Sequence, residues 1–540
     1  MISSSEVKKK AEQLKIGDAL STKKRGRFLG LTLDEYIKYF FSGNAGIAIL
    51  VLVLIMVFLF KEGAGFVPMY KNSLELYRSA GLEYADIIRG QIEEHRFFSQ
   101  KFNLVQNTVS AHYESQGMSR EAARARTANI QSRKDEFGAL IANHQALAEE
   151  LEQVVIEVRN QKVNNDNLRQ AVLLFRSQGD EETARMSEEA IQPVDFQRAH
   201  DLCAVMTTRY LEENEILHTR ISGFMELPIQ LPTPEAEAQY AELKEDIATY
   251  QAKFDAYSKR AFEWDPDKQV PLYRGFSAFI LGKEWLTNSF WQDFYGIIPL
   301  FVGSLMISSL ALAIAVPLSV SAAIYVNQIA TSTELKLIKP YIEFIEALPS
   351  IVLGFFGIVV FGSFLREVSQ VEWLAWFPGF PMSERLTIAT AGVLLALMAV
   401  PTIFTLVEDS LNNVPRHYVE ASYALGANKM QTIFKIMVPA ALSGIVAAVL
   451  LGLGRVIGET MVVLLCAGGM IAIPDFTQGI GAWFQPAHTM TGIIAQELGE
   501  VASGTLHYRA LFMVGLVLFF ISLLLNFCSQ FIIKRFRISE

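Results

Sequence analysis

Three cysteines among 540 residues, Cys203, Cys466 and Cys528, share no spacing that would make a disulfide framework or a metal site. They read as inert thiols. Charged residues supply only 19% of the chain, against 51% hydrophobic, and an average soluble protein is less apolar and more charged. No G-x-x-x-x-G-K-[ST] segment occurs, which excludes the glycine-rich loop that cradles nucleotide phosphates. Glycine and proline are scarce between residues 70 and 225, so that region is not built of turns. It also has no cluster of aromatics, histidines or glycines that points to chemistry.

What is present is apolar sequence, unevenly spread. Residues 66–280 read as polar, whereas 294–535 is apolar in blocks, the pattern of a membrane protein that carries a soluble insert. About 20 apolar residues cross a hydrocarbon core as a helix. Six segments meet or approach that length, at 44–61, 297–326, 345–364, 386–407, 440–467 and 510–533. The first is read as a span rather than a signal peptide: a long region precedes it, and FKEGAGFVPMY follows without a small-residue cleavage site.

The net charge of −9 hides a basic start, with Lys8, Lys9, Lys10, Lys15, Lys23, Lys24, Arg25, Arg27 and Lys38 in the first 44 residues. Beside a span, such a run marks the cytoplasmic side rather than a nucleic-acid site. Six crossings return the C-terminus, with Lys534, Arg535 and Arg537, to that side. The short loops with Lys336 and Lys339, and with Arg416, Lys429 and Lys435, fall there too. The insert then lies outside.

The insert is expected to be helical. One heptad register puts Leu140, Leu147, Val154, Leu168 and Phe175 at a and Leu151, Val158 and Val172 at d, with His144, Gln161 and Asn165 as interruptions. A helical hairpin or short coiled coil fits, as a docking or spacing element; ordinary helix packing is the equal alternative. ELPIQLPTPEA, 227–237, is a proline-marked break.

Two stretches carry mechanism. EASYALGANKMQTIFKIMVPAAL, 420–442, reads as a short helix, a turn at Gly426 and a second helix, with Met430, Ile433, Ile436 and Met437 on one face and Pro439 opening the next span. Such a face needs a partner's groove, or else it rests on lipid. LGLGRVIGET, 451–460, places Arg455 and Glu459 inside a long apolar run. A charge in mid-membrane costs several kcal/mol unless it meets water or a partner. Four residues apart on a helix, the two are expected to touch. They are then either an ion pair that fixes packing or part of an anion path, with the guanidinium's fork of donors matched to phosphate oxygens. On the second reading, Glu459 would accept the proton-bearing oxygen of hydrogen phosphate. Gly452, Gly454 and Gly458 thin the helix, the last two at GxxxG spacing. Thr460 is a weaker hydroxyl donor beside them. Glu343 and Glu346 are read as complementing the dipole at the start of the third span, Glu408 as solvated, Pro317 and Pro349 as kinks, and His488 as a surface histidine.

The pattern Glu420-Ala421-Ser422, three residues, Gly426, nine residues, then Ile436-Met437-Val438-Pro439 resembles the EAA loop of ABC importer permeases. Ser422 stands where a second alanine is common and Val438 where leucine is. FILGKEW at 279–285, YGIIPLFVGSL at 295–305, AVPLSVSAAIYVNQ at 315–328 and KPYIEFIEALPSIVLGFFGIVVFG at 339–362 resemble phosphate-specific permeases. LGLGRVIGETMVV at 451–463 and TMTGIIAQELGE at 489–500 resemble the PstC-type subunit; TLVEDSLNNVP at 405–415 is closer to the sister PstA type. Glu346 sits where many members have a small residue.

The resemblance covers 279–540 and the first span. It implies an all-α membrane protein with six transmembrane helices of the type I ABC importer permease fold. The parts would be a cytoplasmic tail at 1–43, a first span at 44–61, an extracytoplasmic helical insert at 66–290 and a permease core at 291–540. Arg455, Glu459 and Thr460 would line the substrate pathway. Glu420, Ala421, Gly426 and Pro439 would couple to separate ATPase chains, so ATP is bound by a partner and the chain needs no cofactor of its own. A sister permease and an outer phosphate-binding protein are the other implied partners, in a bacterial inner membrane. A permease for sulfate, molybdate or phosphonate, and a membrane-anchored scaffold acting through its insert, remain the alternatives.

Overall fold

The computed structural model describes residues 27–28, 31–287, 289, 291–374 and 376–536. Most of the basic tail, and Arg537 at the other end, lie outside the described residues.

Six helical stretches are long and apolar enough to cross a membrane, at Ile37–Ser79, Ile298–Ile329, Ser350–Ser369, Ile388–Asn412, Lys429–Ile457 and Leu506–Arg535. They match the six expected segments, with two informative differences. The first crossing does not stop where its apolar run does. Helix α1 (Leu33–Ala64) abuts α2 (Phe66–Ser79), and Gly65 between them keeps helical dihedrals. The fifth crossing starts earlier and ends earlier than expected, which matters for the site.

Residues 66–297 form two packed regions. Their larger core is a bundle of long helices: α3 (Leu82–Ser115), α4 (Ala142–Gln178), α5 (Phe196–Glu226) and α6 (Pro234–Gln251). Tyr84, Ile88, Phe102, Phe137, Leu151, Val155, Tyr210, Ile221 and Tyr250 fill its centre. Helix starts follow the usual chemistry, with Asp180, Asp195 and Thr233 accepting backbone N–H bonds, the last with Pro234 behind it. The proline-marked break at 227–237 is a loop ending at that cap.

The expected heptad register holds at its d positions and at Leu147, while its other a positions are only partly buried. The buried stripe of α4 runs through His144, Ala148, Leu151, Val155, Val158, Asn165 and Val172, while Val154, Leu168 and Phe175 are only partly buried. His144 and Asn165, read as interruptions, therefore belong to the seam. Asn165 is satisfied there because its amide both donates to the carbonyl of Gln192 and accepts from that residue's N–H. A buried polar side chain with both functions met costs little, so polarity alone misplaced the stripe.

A second core joins this bundle to the spans. Phe66 and Tyr70 of α2 stack on each other at 5.0 Å and meet Phe279 and Tyr295 edge-on. Leu300 of α7 (Ile298–Ile324) and Leu511 and Val514 near the start of the last span close the cluster. Arg509 Nη1 donates to the carbonyl of Gly65 at 3.2 Å, tying the last span to the α1–α2 junction.

The third crossing is preceded by a separate helix, α8 (Ser332–Glu346), and begins only after Pro349, which caps α9 (Ser350–Phe356). Pro349 is thus a helix start and not a kink; Pro317 does lie inside α7. Helix α10 (Ile388–Asn412) is the hub of the membrane part, packed against α7 and against α12 below.

Candidate functional site

The fifth crossing runs from Lys429 to Ile457. A π-helical turn, Ile433–Met437, precedes Pro439, and the regular helix α12 (Val438–Ile457) follows. Proline has no N–H to donate, and a widened turn is a common way to absorb it. Pro439 therefore sits inside a continuous crossing rather than at its start. α12 stops at Gly458, whose N–H still reaches the carbonyl of Gly454 at 3.2 Å. A short helix, α13 (Met461–Cys466), then begins.

This stop changes the charge pairing. The expectation that Arg455 and Glu459 touch requires one helix through both. Glu459 instead lies beyond the break, where its carboxylate accepts the N–H of Met461 at 3.1 Å, at the start of α13. Its carbonyl accepts the hydroxyl of Thr491 at 2.8 Å. No Arg455–Glu459 ion pair occurs among the described residues. The guanidinium of Arg455 donates to Thr402 Oγ1 of α10 at 2.8 Å and faces Glu346 Oε1 at 3.5 Å. Thr402 lies well inside α10, where Pro401 beside it interrupts the backbone ladder, whereas Arg455 is in the last turn of α12.

Glu346 is the last residue of α8, so the dipole reading is also overturned. A carboxylate is disfavoured at a helix C-terminus, and Arg455 offsets that cost. Both side chains keep about two-fifths of their surface exposed, 42% for Arg455 and 43% for Glu346. The charges therefore sit on an open face of the chain and not in a sealed core. Leu451 and Gly458 lie on the same exposed stripe of α12. The three glycines play different parts. A Cβ on Gly452 would come 2.6 Å from Ile403, so Gly452 lets α12 approach α10 closely, whereas a Cβ on Gly454 would meet nothing within 4 Å. The GxxxG face is unoccupied in the single chain.

Glu459 borders a gap too narrow to hold a water, lined by Ser304, Ser308, Thr489 and Thr491 and by apolar side chains such as Leu395 and Val463. Thr460 is not drawn into it; its hydroxyl makes only a long contact, 3.4 Å, to the carbonyl of Gly458. His488, expected at the surface, is buried at the same level. It pairs with Gln496 at 2.9 Å and accepts the N–H of Thr489, and the carbonyl of His488 packs where a Cβ on Gly303 would lie. Glu408 is likewise not solvated: Lys339 Nζ holds it at 2.6 Å and joins α8 to α10.

The loop at 420–439 has the expected helix–turn–helix form. Helix α11 (Arg416–Ala424) ends with the N–H of Gly426 on the carbonyl of Tyr423 and that of Ala427 on the carbonyl of Ser422. This is a Schellman closure that needs left-handed backbone at its centre, and Gly426 has φ +82°. Asn428 and Gln431 then form a capping box, and the hydroxyls of Ser422 and Thr432, 2.9 Å apart, join the two arms. The apolar face differs from expectation. Ile433 and Met437 turn inward, while Leu425, Met430 and Phe434 are exposed beside Tyr423. Glu420 and Ala421 are exposed as well.

Residues 315–538 match the family described as binding-protein-dependent transport system inner membrane component. The phosphate transport system permease protein PstC of Pasteurella multocida (strain Pm70) is 33% identical over 276 residues, covering 49% of this chain and 83% of that protein. The chain belongs to the PstC family. The PstC of Haemophilus influenzae (strain ATCC 51907 / DSM 11121 / KW20 / Rd) is 32% identical over 47% of this chain and 82% of its own length. The probable ABC transporter permease protein YqgH of Bacillus subtilis (strain 168) is 31% identical, covering 48% and 82%. Among solved structures, an inward-facing MetNI methionine ABC transporter superposes with a TM-score of 0.33 at 21% identity, over 45% of this chain and 94% of that one. A bacterial alginate ABC transporter does so with a TM-score of 0.32 at 13% identity, over 56% and 98%.

In this PstC-family chain, sequence reasoning missed Thr402 and misread Glu346. A threonine after a proline in an apolar run carries no signal of its own. Glu346 did carry one, as a charge beside an apolar run, but its partner lies 109 positions away.

Proposed function

We propose that this chain is a permease subunit of an ATP-driven importer of inorganic phosphate and that Arg455 lies on the anion's route. The observation that carries this is the placement of Arg455: a guanidinium inside a crossing, on an open face, with Thr402 as hydroxyl neighbour and Glu346 as counter-charge. The PstC relatives are phosphate transport system permeases, and this supplies the substrate class. Glu346 keeps the guanidinium compensated when no anion is present, and an arriving phosphate exchanges for that weak contact. Glu459 and Thr460 stand beyond the helix break, next along the route. Half a pathway is open on one chain, so a sister permease covers the stripe of Leu451, Arg455 and Gly458.

On this reading the chain has no ATPase site. Separate ATPase chains dock on 420–438, through Glu420, Ala421 and the exposed side chains around Leu425, and Gly426 and Pro439 fix the loop's geometry. The termini are cytoplasmic, in accord with the basic short loops. The insert, 66–290, then stands on the extracytoplasmic side, where a phosphate-binding protein delivers its cargo.

The test is uptake of radiolabelled phosphate by cells that express the complete transporter, with Arg455→Ala in this chain. Abolished uptake with unchanged membrane levels of the complex is expected. Uptake at the wild-type rate would refute the route, and wild-type rates for sulfate in place of phosphate would move the substrate to another oxyanion.

A further inference from the structure

Between the insert and the second crossing lies a ten-residue helix, Leu272–Leu281, of sequence LYRGFSAFIL. One side of it is fixed to the protein. Gly275 lies so close to α2 that a Cβ there would come 2.7 Å from the carbonyl of Val67, and Phe279 is fully buried against Phe66 at 5.2 Å. The adjoining side is apolar and bare. Leu272 is 58% exposed, Tyr273 70% and Phe276 47%, and Leu281 at the end is 68% exposed. Four large apolar side chains on ten residues would not face water without cause.

The height of this helix identifies what covers it. Val67 follows closely on the apolar run of the first crossing. Phe279 shares a core with Ile297 and Leu300 at the start of the second crossing and with Leu511 and Val514 near the start of the last. The helix is therefore held level with the ends of three crossings. Phe301 and Leu305, on the first turns of the second crossing, are exposed as well. Arg274, on the side away from Phe276, and Lys283 just past the helix end are both exposed, and neither is in an ion pair among the described residues. An apolar face with basic residues at its border and a tyrosine at its edge is the composition of a helix lying in a bilayer interface.

We propose that Leu272–Leu281 lies in the plane of the membrane, in the leaflet on the insert's side, with Leu272, Tyr273 and Phe276 among the upper acyl chains and Arg274 and Lys283 at lipid phosphates. The helix would then be a foot on which the insert stands, clamped to α2 by Gly275 and to the crossings by Phe279. Its occupant is lipid, rather than a partner protein or a second copy of the chain.

The experiment uses the full-length chain in liposomes of mixed neutral and anionic phospholipid. Cys528→Ala removes the partly exposed thiol, and Cys203 and Cys466 are buried. Single cysteines, Phe276→Cys, Tyr273→Cys and, on the exposed surface of the bundle, Glu237→Cys, are labelled with an environment-sensitive fluorophore. Lipid carrying a nitroxide near the headgroup should quench the probes at 276 and 273 several-fold more than the probe at 237, and aqueous iodide should show the reverse order. Iodide quenching at 276 and 273 equal to that at 237 would overturn the proposal by placing the face in water. Protection from both quenchers would overturn it in favour of a protein partner or a second copy. Two labelled positions guard against one variant that fails to fold.

Discussion

Arg455 of α12 donates to the hydroxyl of Thr402 on α10 at 2.8 Å, with the carboxylate of Glu346 3.5 Å away on a third helix. Three separate segments thus converge on one cation inside the membrane part. Glu346 compensates a charge that would otherwise stand without a counter-charge on this face. Glu346→Ala should therefore lower the amount of folded protein recovered from membranes. Glu346→Ala combined with Arg455→Met should restore the yield while phosphate uptake stays lost. A double variant no better recovered than Glu346→Ala alone would show that the two charges do not compensate each other.

The same contact ranks the substitutions of its partners. Arg455→Lys keeps the charge but loses the fork of donors, so it cannot hold Thr402 and an anion together. Uptake should fall about tenfold or more, the cost of roughly one charge-assisted hydrogen bond. Thr402→Val preserves shape and removes one neutral hydrogen bond, and a loss of about two- to fivefold is expected. Initial rates of labelled phosphate uptake at equal transporter levels measure both; equal losses would mean that Thr402 does more than orient Arg455.

The six crossings, the helical nature of the insert and the turn at Gly426 were legible because each depends on local pattern: apolar length, scarce glycine and proline, and one residue free to take positive φ. The charge network was not. Arg455 was singled out correctly as a charge in an apolar run, but spacing on a helix assigned it to Glu459, and that spacing has meaning only while the helix continues. Gly458 and Thr460 end it, a tertiary outcome that two small polar residues in an apolar run do not announce. Glu346 was read by its local helix end and Glu408 as solvated, whereas their partners, Arg455 and Lys339, come from distant sequence. His144, Asn165 and His488 failed as predictions for one shared reason: polarity was taken as exposure, although Asn165 and His488 find their partners inside the protein and pack well there.

Gly452 and Gly454 separate folding from assembly. A methyl on Gly452 would press into Ile403 at 2.6 Å, so Gly452→Ala should destabilise the α10–α12 packing by about 1–3 kcal/mol. Ile403→Val in the same chain should recover part of that. Gly454 has open space in the single chain, so Gly454→Ala should leave the chain's own thermal unfolding unchanged and weaken its co-purification with the sister permease. Equal thermal shifts for the two variants would contradict this division.

Gly426 carries a backbone demand rather than a packing one: φ is +82° and nothing lies within 4 Å of where a Cβ would be. Gly426→Ala should cost about 1–2 kcal/mol locally through left-handed strain alone. That strain loosens the turn, so phosphate imported per ATP hydrolysed should fall while ATPase subunits still bind. Leu425→Ser with Phe434→Ser removes the exposed apolar side chains instead, and there ATPase co-purification itself should be lost. Retention of ATPase chains by that pair of substitutions would place the docking surface elsewhere.

Acid should loosen the insert before it affects the crossings. His95 and His144 are buried in the bundle, and burial pushes both down to about 4. His95 donates from Nε2–H to the carbonyl of Phe137, which fixes its tautomer and opposes part of that shift, so burial is what disfavours the charged form. An unfolded chain binds a proton at each histidine near pH 6.5, whereas the folded bundle refuses it until about pH 4. Their contribution is therefore complete above about pH 6.5 and is lost as pH falls towards 4, about 3 kcal/mol for each histidine. Asp86 acts with the opposite sign: burial pushes it up to about 6, so the folded state takes up its proton first and regains a similar amount over the same range. The net expectation is a loss equivalent to about one histidine between pH 7 and pH 4. Amide exchange in Leu82–Ser115, corrected for intrinsic rates, should report it as faster global opening. Replacing both histidines by glutamine leaves only Asp86, so acidification should then strengthen protection in that helix. Protection that still weakens to the wild-type extent in the double variant would remove the histidines from the account.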